Sequence, residues 1–355
     1  MPSGDIAHRN NLDLLRLVFA ITVFLVHGYV LSGKPELSLL GTVLSTDIAV
    51  KSFFVVSGLL IFRSYERSSG LFSYAAKRAR RIYPAYVASV LFFAAVLYAV
   101  SEASPGAYFS VAWLNYAAWN LVFLNFLDPR LPGVFVHNAW QEVNGALWTL
   151  KVEVMFYAAV PLIIFIFRRI GVLVSIVFLY ISSVAYAYGM LLLSGQYGSP
   201  LLATLAHQLP GQISYFVSGA FIYYYFDMLK NIMPQAAMAA MVLLIVDSVS
   251  GIHVFEPFAL AILISTAAFY VYLGNFGKYG DFSFGVYIIH FPILQALVQL
   301  GLFDYSPYGA LALAAGLVGG GAFLLWRLVE EPFLARASHY IAATEPGRDA
   351  PRAAS

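Results

Sequence analysis

The sequence contains no cysteine, which excludes a disulfide framework, a thiolate nucleophile and a cysteine metal site. Charge is nearly as scarce. Asp, Glu, Lys and Arg together make up 11% of the 355 residues, too few to cover a water-facing surface. The net charge of +2 offers no footprint for nucleic acid. No stretch shows the alternation of a membrane β-barrel strand, and neither an internal repeat nor a low-complexity linker breaks the apolar region. The first apolar run is not read as a cleavable signal, because no small-x-small site follows it between Leu31 and Glu36.

What remains is apolar. Hydrophobic residues account for 61% of the chain, with 24 Tyr and 29 Phe, and the mean hydropathy is +0.78. Helices satisfy their own backbone polar groups in lipid, so the fold expected is an all-α polytopic integral membrane protein. Segments long enough to span fall near 12–31, 46–62, 83–101, 147–167, 170–193, 207–227, 234–250, 257–274, 282–301 and 309–328, ten in all. Residues 108–127 are ambiguous by hydropathy. If they do not cross, the clusters from Arg63 to Arg81, Arg168 with Arg169, Lys230, Lys278, and Arg327 with Arg336 all fall on one side. The positive-inside rule makes that side cytoplasmic, with both termini, and 108–127 re-entrant or interfacial. Residues 1–340 then form one membrane domain, and the polar, Pro-containing residues 341–355 a disordered cytoplasmic tail.

Ionisable side chains inside such segments cost on the order of 3 kcal/mol each and ask for a function. His27 follows Arg16 by 11 residues, about 16 Å along a helix. Arg16 is therefore near the cytoplasmic face and His27 in the outer half, the half that Glu153 enters from the other direction. A carboxylate beside an imidazole fixes its tautomer, as a general base requires. A helix-to-helix hydrogen bond by His27 is the other reading, and spacing leaves both open. "KRARRIYPAY", Lys77 to Tyr86, is either a topological anchor or a phosphate site: Pro84 suits the first turn of a helix, and guanidinium forks suit phosphate. Glu153 and Tyr157 share a helix face, with Trp148 at the interface, and Tyr287 and His290 share another. Lys51 and Lys151 lie near outer helix ends, as topology or substrate-contact residues. His207 is read as beginning a helix, and Gly319 to Gly321 as a helix-packing surface. No His pair with a carboxylate stands at metal-ligand spacing, so no metal is expected.

The motifs in order resemble the membrane acyltransferase 3 family, which includes bacterial O-acetyltransferases of polysaccharides and lipopolysaccharide. They are "LDLLRLVFAITVFLVHG", "SFFVVSGLLIF" with Ser57, the Arg-x-x-Arg of Arg78 and Arg81 running into "RIYP", "LWTLKVEVMFY", "SFGVYIIHFP" and the closing "VEEPF". The chain departs from some members of the family in showing no appended soluble esterase-like domain after the membrane region, and from many in "LDLLR", where they carry a glycine before the leucine and arginine. The resemblance implies a ten-helix enzyme of the bacterial inner membrane. It would move an acyl group, expected to be acetyl, from cytoplasmic acyl-CoA to a hydroxyl of a glycan or lipid-linked saccharide. His27 is implied to be catalytic with Glu153 assisting; Arg16, Arg78, Arg81 and Tyr83 to hold the CoA; and Ser57, Lys51, Trp148, Tyr157, Tyr287 and His290 to contact substrate or support the site. The rival from another class is a proton-coupled secondary transporter or flippase of an envelope precursor, which intramembrane Arg, Glu and His would also suit.

Overall fold

The computed structural model describes residues 10–334; Arg336 and the tail 341–355, expected to be disordered, lie outside them. Among the described residues there are helices and no strand. The principal helices are α1 (Leu12–Ser32), α2 (Thr46–Glu66), α3 (Leu71–Val96), α4 (Val111–Leu121), α5 (Trp148–Ile170) and α6 (Val172–Tyr197). They are followed by α7 (Leu209–Leu229), α8 (Met233–Ser250), α9 (Glu256–Phe269), α10 (Phe282–Gln299) and α11 (Pro307–Leu325).

Among the described residues eight helical segments are long and apolar enough to cross a membrane, so the chain is a multi-pass membrane protein. The two other expected segments are helical but differ. α7 has 21 residues yet carries buried Gln212, Ser214 and Ser218; a helix enclosed by neighbours does not need a side-chain complement suited to lipid. α9 has 14 residues, about 21 Å, short of a full hydrocarbon core. α4 has 11 residues, about 16 Å, so 108–127 does not cross as a helix.

Proline marks a correction. Pro84 lies inside α3, not in the first turn of a helix, because the helix extends back through the arginine cluster to Leu71. The cluster is therefore on a helix side and has no free backbone donors to offer phosphate. Pro161 in α5 and Pro292 in α10 are also interior, and each removes the N–H that the carbonyl four residues earlier would receive. Both orphaned carbonyls find a side chain: the Tyr74 hydroxyl donates to Tyr157 O at 3.0 Å, and Asn144 Nδ2 donates to Ile288 O at 2.8 Å. That is how interior prolines are tolerated away from water.

The chain packs as two units, each drawn from three stretches. Unit 1 holds the chain to Leu15, Asp47–Ala75 and Thr149–Gly274; unit 2 holds Arg16–Thr46, Ala76–Trp148 and the chain from Asn275. Unit 1 is built around aromatic packing of α2, α5 and α7, where Phe156 and Phe216 stack at 4.3 Å between ring centroids. Gly58 permits this approach: a Cβ there would run into the backbone carbonyl of Phe216.

Unit 2 is centred on α10, whose inner residues are buried from Ser283 through Pro292. Two ties bind it to α1, Arg16 to Asp281 and His27 to His290. The tied residues are 11 apart on α1 and nine apart on α10, and both numbers rise together, so the helices run parallel. Just past the His27 tie α1 also lies close to α11, since a Cβ on Gly28 would come within 2.7 Å of the Leu311 side chain. The Gly319 to Gly321 stretch packs less than expected: only Gly321 faces a neighbour, Ile289, while Gly319 and Gly320 face open space.

Candidate functional site

The α1 and α10 pair carries the strongest constellation. His27 Nδ1 and His290 Nε2 are 2.8 Å apart, the rings nearly coplanar at 9° with centroids 5.1 Å apart. The edge of Phe291 closes against His27 at 5.4 Å. His290 is fully buried, and its Nδ1 faces Tyr287 O at 2.7 Å and Val286 O at 3.2 Å. His27 is only half-buried. The ring nitrogen of His27 that a carboxylate was expected to hold is thus held by a second imidazole.

Sequence reading missed what sets α10. Asn144 supports the helix at Ile288, and Gln295, fully buried, donates to Trp140 O at 2.6 Å and to Glu142 O at 3.2 Å. Asn138 returns a bond to Gln295 Oε1 at 2.9 Å. The stretch before α5 is tied in this way along the helix that carries His290. These amides look like ordinary loop polar residues in the sequence; "HFP" was the available signal, since an interior proline requires a donor for the carbonyl it frees.

At the Arg16 end of α10, Asp281 accepts from both Arg16 and Arg81, and Arg81 also pairs with Glu330. Asp281 further caps α10, accepting from Ser283 N at 3.1 Å. Two guanidinium groups and two carboxylates meet here, with Arg81 also against the rings of Phe284 and Trp326. Arg16 and Arg81, expected to bind CoA, are engaged by protein carboxylates. Asp281 was overlooked, although an Asp just before an apolar run is the usual helix-start signal. Arg78 is half-buried and Arg80 exposed on the same helix. Tyr83 is 45% exposed, its hydroxyl donating to Leu121 O at 3.3 Å. Tyr287 is buried and donates to Ala146 O at 3.4 Å.

Unit 1 contains the carboxylate. Glu153 Oε1 accepts from Ser57 Oγ at 3.2 Å and from the Tyr157 hydroxyl at 2.5 Å, the latter as the four-residue spacing requires. Trp148, the first residue of α5, is half-buried. Lys51 bonds Asp47 at 2.5 Å and Glu256 at 2.9 Å, so its ammonium lies between an exposed and a buried carboxylate, and Asp247 holds the start of α9 beside it through Phe255 N and Glu256 N at 2.7 and 2.6 Å. His207 does not begin a helix: it is the exposed residue that ends Pro200–Ala206. Among the described residues no group of three or more His, Asp or Glu is arranged to hold a metal.

The acyltransferase domain family matches residues 9–327 of the chain. The chain belongs to the acyltransferase 3 family. It is 28% identical over 336 residues to the O-acetyl transferase of Shigella phage Sf6, covering 93% of this chain and 98% of that one. It is also 28% identical over 358 residues to Nodulation protein 10 of Rhizobium leguminosarum bv. viciae, covering 92% and 93%. No solved structure matches. Family membership decides between the enzyme and the carrier: the chain is a membrane acyltransferase.

Proposed function

We propose that this acyltransferase moves an acetyl group from acetyl-CoA on the cytoplasmic side of a bacterial inner membrane to a hydroxyl of a glycan or lipid-linked saccharide, with His27 as general base. The observation that supports this most is a half-buried imidazole in an apolar helix, held through Nδ1 so that its other nitrogen is left for chemistry. Both termini are taken as cytoplasmic. The CoA phosphates meet α3 at its basic turn of Lys77, Arg78 and Arg80, with Tyr83 further on, while Arg16 and Arg81 keep that end of unit 2 in shape through Asp281. Arg16 stands about 16 Å from His27 along α1, a separation for the pantetheine arm to cover.

In the reaction the acceptor oxygen attacks the thioester carbonyl as its proton passes to His27 Nε2; the C–S bond then breaks, and the thiolate leaves as CoA-SH with that proton. Burial keeps the thioester from hydrolysis. Glu153, gripped by Ser57 and Tyr157, is proposed as the second catalytic group, with Lys51, Trp148 and Tyr287 in support. No metal enters the scheme. The test is purified protein in liposomes with acetyl-labelled acetyl-CoA and a saccharide acceptor. Label is expected to move to the acceptor with native protein and to stay on CoA with His27→Ala at equal expression. Normal transfer by His27→Ala would overturn the assignment.

A further inference from the structure

We propose that His290 is a positioning residue that sets the tautomer of His27, protonated at Nδ1 and bare at Nε2. The proposal rests on the reading of His27 as the base, and it follows from counting protons. Carbonyl oxygens only accept, so the Nδ1 of His290, which faces Tyr287 O at 2.7 Å and Val286 O at 3.2 Å, carries a hydrogen. His290 is fully buried. A second proton would bury a cation in apolar packing, so the ring is neutral and its Nε2 has a lone pair. That nitrogen lies 2.8 Å from His27 Nδ1, a distance that needs one hydrogen between them. The hydrogen belongs to His27. A neutral His27 with Nδ1 protonated has an unprotonated Nε2, the nitrogen a general base requires.

The geometry of the pair agrees. The interplanar angle is 9° with centroids 5.1 Å apart; together with the short nitrogen–nitrogen distance this means that the rings meet edge to edge in one plane, where the N–H and the lone pair both lie. Exposure separates the roles as well, since the half-buried ring can meet substrate and the fully buried one cannot. His290 is held in turn: Asn144 secures the carbonyl of Ile288 that Pro292 leaves without a donor, at 2.8 Å. During transfer the proton from the acceptor hydroxyl arrives at His27 Nε2 and later departs with the CoA thiolate. The Nδ1–H stays on His27, and His290 accepts from it throughout, so no proton crosses to the second ring.

The test combines nitrogen-15 NMR of histidine-labelled protein in detergent with steady-state kinetics, the His27 resonances being assigned by their loss in His27→Ala. In the native protein His27 is expected to show a protonated Nδ1 and a bare Nε2. His290→Leu removes the acceptor; it is expected to shift His27 toward the Nε2–H form and to lower kcat by roughly 10²- to 10⁴-fold, the contribution of a positioned general base, with KM for acetyl-CoA nearly unchanged. His290→Gln places an amide oxygen near the lost Nε2 and is expected to recover much of the turnover, which separates positioning from folding. A native His27 protonated at Nε2, or a His290→Leu enzyme with native kcat, would overturn the proposal. If His27→Ala transfers acetyl normally while the native ring has the stated tautomer, the base assignment falls and the positioning by His290 stands.

Discussion

Replacing Asp281 by alanine tests the organisation of unit 2 most directly. Its carboxylate is buried and receives Arg16, Arg81 and the start of α10. In the native protein Asp281 pairs with both Arg16 and Arg81, and Arg81 also with Glu330; without Asp281 the cluster is one positive charge in surplus of its native state. The guanidinium side chains are 17% and 12% exposed, so the surplus charge is only partly relieved by water. Removing one partner of such a buried set costs about 3–5 kcal/mol, and loss of the helix cap about 1 kcal/mol more. Taking the low end, about 3 kcal/mol lowers the melting temperature by roughly 6–12 °C at 2–4 °C per kcal/mol, read by near-ultraviolet circular dichroism in detergent. The charge arithmetic makes a second, sharper demand. Adding Arg16→Met to Asp281→Ala restores balance, leaving Arg81 on Glu330, so the double variant should melt above the single one. A double variant that simply sums the two losses would refute the argument that uncompensated charge is what destabilises Asp281→Ala.

Three further outcomes are expected. Tyr74→Phe and Asn144→Ala each strip the donor from a carbonyl freed by proline and should each cost about 1–3 kcal/mol; melting curves that match the native protein would show those carbonyls satisfied otherwise. Gly58→Ala drives a methyl group at the backbone oxygen of Phe216, which no rotamer change relieves, and should reduce folded yield sharply by size-exclusion chromatography, whereas Gly28→Ala meets only the movable end of Leu311 and should be milder. Lys51→Met leaves Glu256 buried without its ammonium and should destabilise unit 1 by about 3 kcal/mol or more, with recovery when Glu256→Gln is added; a native melting temperature in the single variant would count against the buried pair.

Hydropathy and charge sufficed for the class of fold, because lipid admits few alternatives to helices. They sufficed too for the shared face of Glu153 and Tyr157, since helical spacing is a local property and the bond between them follows from it. They misplaced the start of α3. Pro84 reads as a boundary, yet the helix begins at Leu71, and from sequence nothing separates a proline that starts a helix from one inside it.

Partnership across helices was out of reach. His27 was matched to Glu153 by depth in the membrane, whereas the bond to its Nδ1 comes from His290, 263 residues away. Arg16 and Arg81 were expected at the CoA, and their pairing with Asp281 and Glu330 was hidden because those carboxylates are distant along the chain. A sequence states which groups must avoid being left unpaired in an apolar medium, and at what height on their own helices they sit. Which group pairs with which depends on the rotation of each helix about its axis and on close approaches such as that at Gly28, and these are settled only when the side chains pack.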